Sequence, residues 1–111
     1  MMNEKLRLLV GLQDLDMMIR ESKEEEETLG FKIQNLEKLH AARKHLAKQI
    51  DEEWLKLYER VAARHGRAVV PVEGGICLGC FMGLPTSAQI KPKPDEDIRV
   101  CENCGRILYW L

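Results

Sequence analysis

A chain of 111 residues with 5 % aromatic and 32 % charged residues has room for one compact domain, or for a small module plus an extended element, and excludes a large globular core. Its formal net charge of −1 gives no overall attraction to nucleic acid or membrane, although residues 1–37 are net acidic and residues 38–67 net basic. No apolar stretch is long enough to cross a bilayer, and the opening MMNEKLRLLVGLQD lacks signal-peptide form, so a cytoplasmic protein without membrane association is expected.

Residues 1–65 read as a coiled-coil helical region. Mostly apolar residues recur from Leu8 in alternating steps of four and three, through Leu12, Leu15, Ile19, Leu29, Ile33, Leu36, Ala47, Ile50, Trp54 and Leu57 to Val61. A 3.5-residue repeat keeps one stripe on one side of a supercoiled helix. No proline precedes Pro71, and only Gly11 and Gly30 interrupt good helix formers. A hairpin turning at Gly30 would set the acidic residues 24–27 at a helix C-terminus, which the macrodipole disfavours. One long helix, bent at most near Gly30, is the expectation.

Such a seam must be buried against something. Two charges lie in it, Glu26 and Arg43. A parallel dimer would set each against its own copy, whereas one antiparallel register pairs Glu26 with Arg43. That register also opposes Leu12 to Leu57, Ile19 to Ile50, Ile33 to Leu36 and Trp54 to Leu15, and lays acidic half along basic half. An antiparallel homodimer is therefore expected.

Residues 66–111 differ in texture. Gly66, behind Arg64 and His65, is a helix stop. The stretch RAVVPV reads as a short strand, with Pro71 arguing for an edge position, and EGG as a turn. The pairs Cys77/Cys80 and Cys101/Cys104 form C-x2-C-x20-C-x2-C, a strong signal for a four-thiolate zinc site. Two such turns, with Gly79 and Gly105 beside them, complete a tetrahedron with no open position. The expected zinc is structural and supplies folding energy to a small core. A thiol–disulfide exchanger would need one CxxC beside a βαβ pattern. The tail RILYWL reads as the last strand, whose Tyr109 and Trp110 cover the zinc site or the neighbouring helix; stacking on bases is the alternative role.

The segments VPVEGGICLGCFMGLP and VCENCGRILYW resemble the bacterial coiled-coil proteins that end in a four-cysteine zinc ribbon. LVGLQDLDMMI resembles the start of that family's coiled coil, and LYERVAARHGRAVVPV its end. The resemblance implies Cys77, Cys80, Cys101 and Cys104 as zinc ligands and an adaptor or regulatory role. Members of the family are longer, with a long helical hairpin before the ribbon. The middle of that hairpin is missing here, so pairing between two chains is expected to replace pairing within one.

No enzyme is expected, since His40, His45 and His65 have no nucleophile or carboxylate constellation beside them, and no small-molecule substrate is implied. The ribbon is a poor phosphate-binding face: Lys91, Lys93, Arg99 and Arg106 are offset by Glu73, Asp95, Glu96, Asp97 and Glu102, and a four-thiolate zinc site carries about −2. Arg60, Arg64 and Arg67 at the helix end, with Arg99 and Arg106, are the candidate contacts for nucleic acid or a partner. A protein partner is preferred on charge, with nucleic-acid regulation the alternative. An acidic hairpin tip would resemble the polymerase secondary-channel regulators in outline, but CLGC…CENCGRILYW does not match their zinc-module signature.

Overall fold

The computed structural model of the chain describes residues 3–30, 35–90, 92 and 98–110. Helices α1 (Glu4–Leu29), α2 (Asn35–Ala47) and α3 (Glu52–His65) precede four short strands, β1 (Val69–Glu73), β2 (Ile76–Cys77), β3 (Arg99–Val100) and β4 (Ile107–Trp110). The molecule is mainly helical with a small C-terminal sheet, as the sequence predicts. Among the described residues no helix is long and apolar enough to cross a membrane.

The single long helix does not form. The Asn3 side chain caps α1 by accepting from Lys5 N at 2.8 Å. Gly30, in the left-handed region at φ 78°, ends the helix with its N–H on Glu26 O. The chain then returns, and α2 packs antiparallel on α1. Gly11 makes room for Leu46, whose Cδ2 stands 3.3 Å from where a Cβ would be, and Arg43 pairs with Asp16.

Magnitudes explain why the hairpin prevails over the dipole argument. Glutamates at a helix C-terminus cost about 0.3–1 kcal/mol each when exposed and screened. Burying one large apolar side chain contributes about 1.5–3 kcal/mol. Folding back buries Leu9, Leu12, Ile19, Ile50, Tyr58 and Val61 within one chain.

A second break follows Ala47. Residues 48–50 turn, Ile50 inserts into the core, and Asp51 starts α3 with Leu55 N on its carbonyl. Gly66 closes α3 with its N–H on Ala62 O, as expected. The antiparallel pairing anticipated between two chains is thus made within one, and Arg43 takes Asp16 and Glu59 where a partner's Glu26 was foreseen. Of the seam residues, Leu12, Ile19 and Ile50 are buried, Leu36, Trp54 and Leu57 are half-buried, and Ile33 lies outside the described residues.

The strands lie in the order β2-β1-β4-β3. β1 runs parallel to β4, with Val69 opposite Ile107 and Val72 opposite Trp110; the outer pairs are antiparallel. β1 is therefore internal, which corrects the edge position inferred from Pro71. The Pro71 carbonyl accepts Leu78 N at 3.0 Å, so its hydrogen-free nitrogen points to the same side. There β2 is only two residues long, and its ladder spans only Val72 and Glu73.

Strand alternation makes the two central strands a wall between two cores. Val69 and Ile107 face the helices and pack with Leu9, Leu12, Tyr58 and Val61. Val70, Val72 and Leu108 face away and pack with Cys77, Cys101 and Leu84. Gln13 joins helix to wall. Its Oε1 accepts from Ala68 N at 2.9 Å and Val69 N at 2.8 Å, and its Nε2 donates to Val69 O at 2.9 Å. The residue is only 7 % exposed.

Replacing Gln13 by Leu keeps the helix and removes all three bonds, leaving buried backbone groups unsatisfied at about 1–3 kcal/mol each. Urea unfolding of Gln13→Leu should show a loss of about 3 kcal/mol or more; a midpoint equal to that of the unsubstituted protein would contradict the clamp.

Candidate metal centre

Two turns of one design carry the cysteines. In the first, Phe81 N donates to Cys77 O at 2.7 Å and Cys77 N to Met82 O at 3.1 Å. In the second, Gly105 N donates to Cys101 O at 2.9 Å and Cys101 N to Arg106 O at 2.8 Å. The residue after each second cysteine adopts the left-handed region, Phe81 at φ 62° and Gly105 at φ 80°. For glycine this is free, whereas for a side-chain-bearing residue it costs about 1–2 kcal/mol. Gly79 is required for another reason. Arg106 lies across it, its Cδ 2.5 Å from where a Cβ would stand, and donates Nε to Arg67 O at 3.0 Å. His65 Nε2 lies 3.1 Å from Cys104 O, tying the end of α3 to the second turn.

Because β2 and β3 flank the central pair, the two turns meet beyond the sheet. The four Sγ atoms of Cys77, Cys80, Cys101 and Cys104 all lie within 4.8 Å of one another. The cross-turn pairs Cys77–Cys104 and Cys80–Cys101 are 3.9 and 3.8 Å apart. Sulfurs ~2.3 Å from a central ion stand ~3.8 Å apart in a regular tetrahedron. The cluster therefore fits a tetrahedrally held metal ion, and the four residues singled out by spacing are those the fold brings together.

The thiols differ in environment. Burial pushes the Cys77 thiol up to about 12 and the Cys101 thiol upward as well, whereas a hydrogen bond with the Asn103 side chain draws Cys80 down to about 6. Neighbouring thiolates in a small volume disfavour one another's charge. A divalent cation at their centre removes that conflict, because metal ligation requires each sulfur deprotonated.

The five arginines nominated as contacts are not gathered into one face. Arg106 and Arg67 meet beside the first turn, while Arg60 and Arg64 are exposed on α3. Arg99 instead stacks over the Trp110 ring, 5.8 Å from its centroid, and donates to Ile90 O. Trp110 also donates Nε1–H to Gln89 O at 3.3 Å. Tyr109 packs on the helix-side core and Trp110 on the cysteine-side core, so between them they cover both neighbours named for the last strand. Lys91, Lys93, Asp95, Glu96 and Asp97 lie outside the described residues. Sequence reasoning missed the group Asp16, Arg43, Tyr58 and Glu59, in which Tyr58 donates to Asp16 Oδ2 at 2.7 Å. Burial and that bond hold the Tyr58 hydroxyl protonated well above the ordinary tyrosine range. These groups line a cleft of about 400 Å³ between the helices and pair with one another.

No protein-family model matches the chain, and no curated protein is significantly similar to it. Two solved structures share its fold. CT398 from Chlamydia trachomatis is 31 % identical with a TM-score of 0.62, over 80 % of this chain and 37 % of that one. The HP0958 protein from Helicobacter pylori is 24 % identical with a TM-score of 0.62, over 82 % of this chain and 36 % of that one. The chain thus spans little more than a third of the length of either.

Since Cys77 and Cys101 hold their protons at neutral pH when no ion competes, metal uptake must expel protons. The apparent affinity for a divalent ion should therefore rise with pH and fall on acidification. Competition against a chromophoric chelator at several pH values checks this. A pH-independent affinity, or uptake other than one ion per chain, would contradict a four-thiolate centre.

Proposed function

We propose that this chain is a non-catalytic adaptor of the coiled-coil and zinc-ribbon type, in which a structural zinc ion braces the ribbon and the molecule binds a protein partner. One observation carries the reading. Four sulfurs within 4.8 Å of one another satisfy a tetrahedral ion completely and leave no coordination position for water or substrate. All-sulfur tetrahedral sites take zinc or iron–sulfur centres, and two CxxC turns closing on a single ion favour zinc. The zinc would be held by Cys77, Cys80, Cys101 and Cys104 and would supply folding energy.

The remaining ionisable groups support a binding protein over an enzyme. Asp16, Arg43, Tyr58 and Glu59 are engaged with one another, His65 faces the Cys104 carbonyl, and His40 and His45 are exposed on α2. The likeness to CT398, over part of that protein only, supports the fold on which this reading is built. Two CxxC pairs used as metal ligands rather than as disulfides suit a reducing compartment such as the cytoplasm. A homodimer through the helical seam plays no part in the reading, because Leu12, Ile19 and Ile50 are buried within one chain.

Affinity capture of the zinc-loaded protein from its own cell extract, with and without nuclease, tests the adaptor reading. A reproducible protein set that survives nuclease is expected. Recovery of nucleic acid alone, lost on nuclease treatment, would replace the reading with nucleic-acid binding near Arg64, Arg67 and Arg106.

A further inference from the structure

The two metal-binding turns are equivalent in backbone and unequal in side chain. Each closes with the same pair of hydrogen bonds and sets the same position in the left-handed region. Gly105 shows that the turn needs no side chain there. Phe81 nevertheless places a benzyl group at that position, on backbone that an L-residue adopts at a cost, and the residue is 72 % exposed. Met82 beside it is 54 % exposed. The backbone under both is fixed, with Phe81 N on Cys77 O and the Met82 carbonyl holding Cys77 N. An aromatic ring held in water on a rigid turn contributes little to folding; it suits a surface that something else covers.

The border of this surface is basic. Arg106 crosses Gly79, two residues before Phe81, and its Nε–H donates to the Arg67 carbonyl, which sets residue 67 beside the first turn. Among the described residues no carboxylate forms an ion pair with Arg64, Arg67 or Arg106. Opposing charge comes from Glu102 on the second turn and from the thiolates themselves. Of the four, Cys77 and Cys101 are buried, whereas Cys80 and Cys104 are partly exposed.

We propose that Phe81 and Met82, bordered by Arg106 and Arg67, are the docking point for a short segment of a partner protein that carries a large apolar side chain flanked by carboxylates. The apolar side chain covers the Phe81 ring and the Met82 thioether, and the carboxylates meet the guanidinium groups, two of whose five donors allow bidentate pairing. This deepens the adaptor reading and rests on it. A single-stranded nucleic acid fits less well. Such strands are bound on successive aromatic rings, and here Trp110 is covered by Arg99 while Tyr109 packs into the helix-side core, leaving one ring.

The test is titration of the isotope-labelled, zinc-loaded full chain with three probes, followed by amide chemical shifts. The probes are a short synthetic peptide with a Leu-Phe centre flanked by glutamates, the same peptide flanked by lysines, and an oligouridylate. The glutamate peptide should shift Gly79, Phe81, Met82 and Arg106, and the lysine peptide should bind about tenfold more weakly or worse. Phe81→Asn keeps a residue that tolerates the left-handed region. It should retain the dispersed spectrum and bound zinc while losing about tenfold in peptide affinity. No binding of the glutamate peptide, shifts confined to other residues, or tighter oligouridylate binding at these amides would each overturn the proposal. Capture from cell extract separates the two readings. Nuclease-resistant partners retained at full yield by Phe81→Asn leave the adaptor reading standing and remove this site; recovery of nucleic acid alone by the unsubstituted protein removes both.

Discussion

The side chain of Gln13 stands where a strand of the sheet is missing. β2 is too short to reach the start of β1, so the N–H and C=O of Val69 have no strand partner on that side. A primary amide offers the same donor and acceptor as a peptide group, and Gln13 presents both to Val69 while also accepting from Ala68 N. Helix α1 is thereby fixed to the first residues of the ribbon by bonds that water cannot replace in a buried setting. The notional boundary after residue 65 is consequently no hinge, because the core on the helix side is built from both halves of the chain.

This clamp makes the rest of the arrangement consistent. β1 and β4 form a wall whose one face receives Leu9, Leu12, Tyr58 and Val61 and whose other face receives Cys77, Cys101 and Leu84. Two thin cores share one pair of strands, and neither is large enough to be stable alone. The four cysteine sulfurs from the turns beside the outer strands β2 and β3 meet on one face of that wall, and the helices cover the opposite face. The cysteine cluster is therefore separated from the helices by only one layer of backbone.

The ribbon was far more legible in the sequence than the helical half. Cysteine spacing is set by coordination geometry, so the ligand set could be read without knowing the fold. Gly66 as a helix stop and RILYWL as a closing strand are local signals, and they hold. The hairpin was hidden because the apolar phase runs through both breaks without slipping, and periodicity alone cannot tell a continuous seam from one folded on itself. The second break did leave a trace: Asp51 followed by Glu52 and Glu53 is an acidic helix start, overlooked amid the heptads. Pro71 misled because the rule about edge strands concerns which way a missing N–H points, and that depends on the length of the neighbouring strand. Gln13 left no signal at all, since a glutamine is unremarkable within a helix until the strand it serves is known. Phe81 looked like any residue after a cysteine, and only comparison with Gly105 in the folded turns marks it out.

The shared helix-side core and the Gln13 bonds join helices and ribbon into one cooperative unit. The most direct measurement is chelator-induced unfolding of the metal-loaded chain, followed at once by helical circular dichroism and by Trp110 fluorescence. Trp54 replaced by Phe would leave Trp110 as the single indole reporter. Coincident transitions, with loss of helix as the metal leaves, are predicted. Loss of the Trp110 signal with the helices intact would show two independent modules and contradict the account.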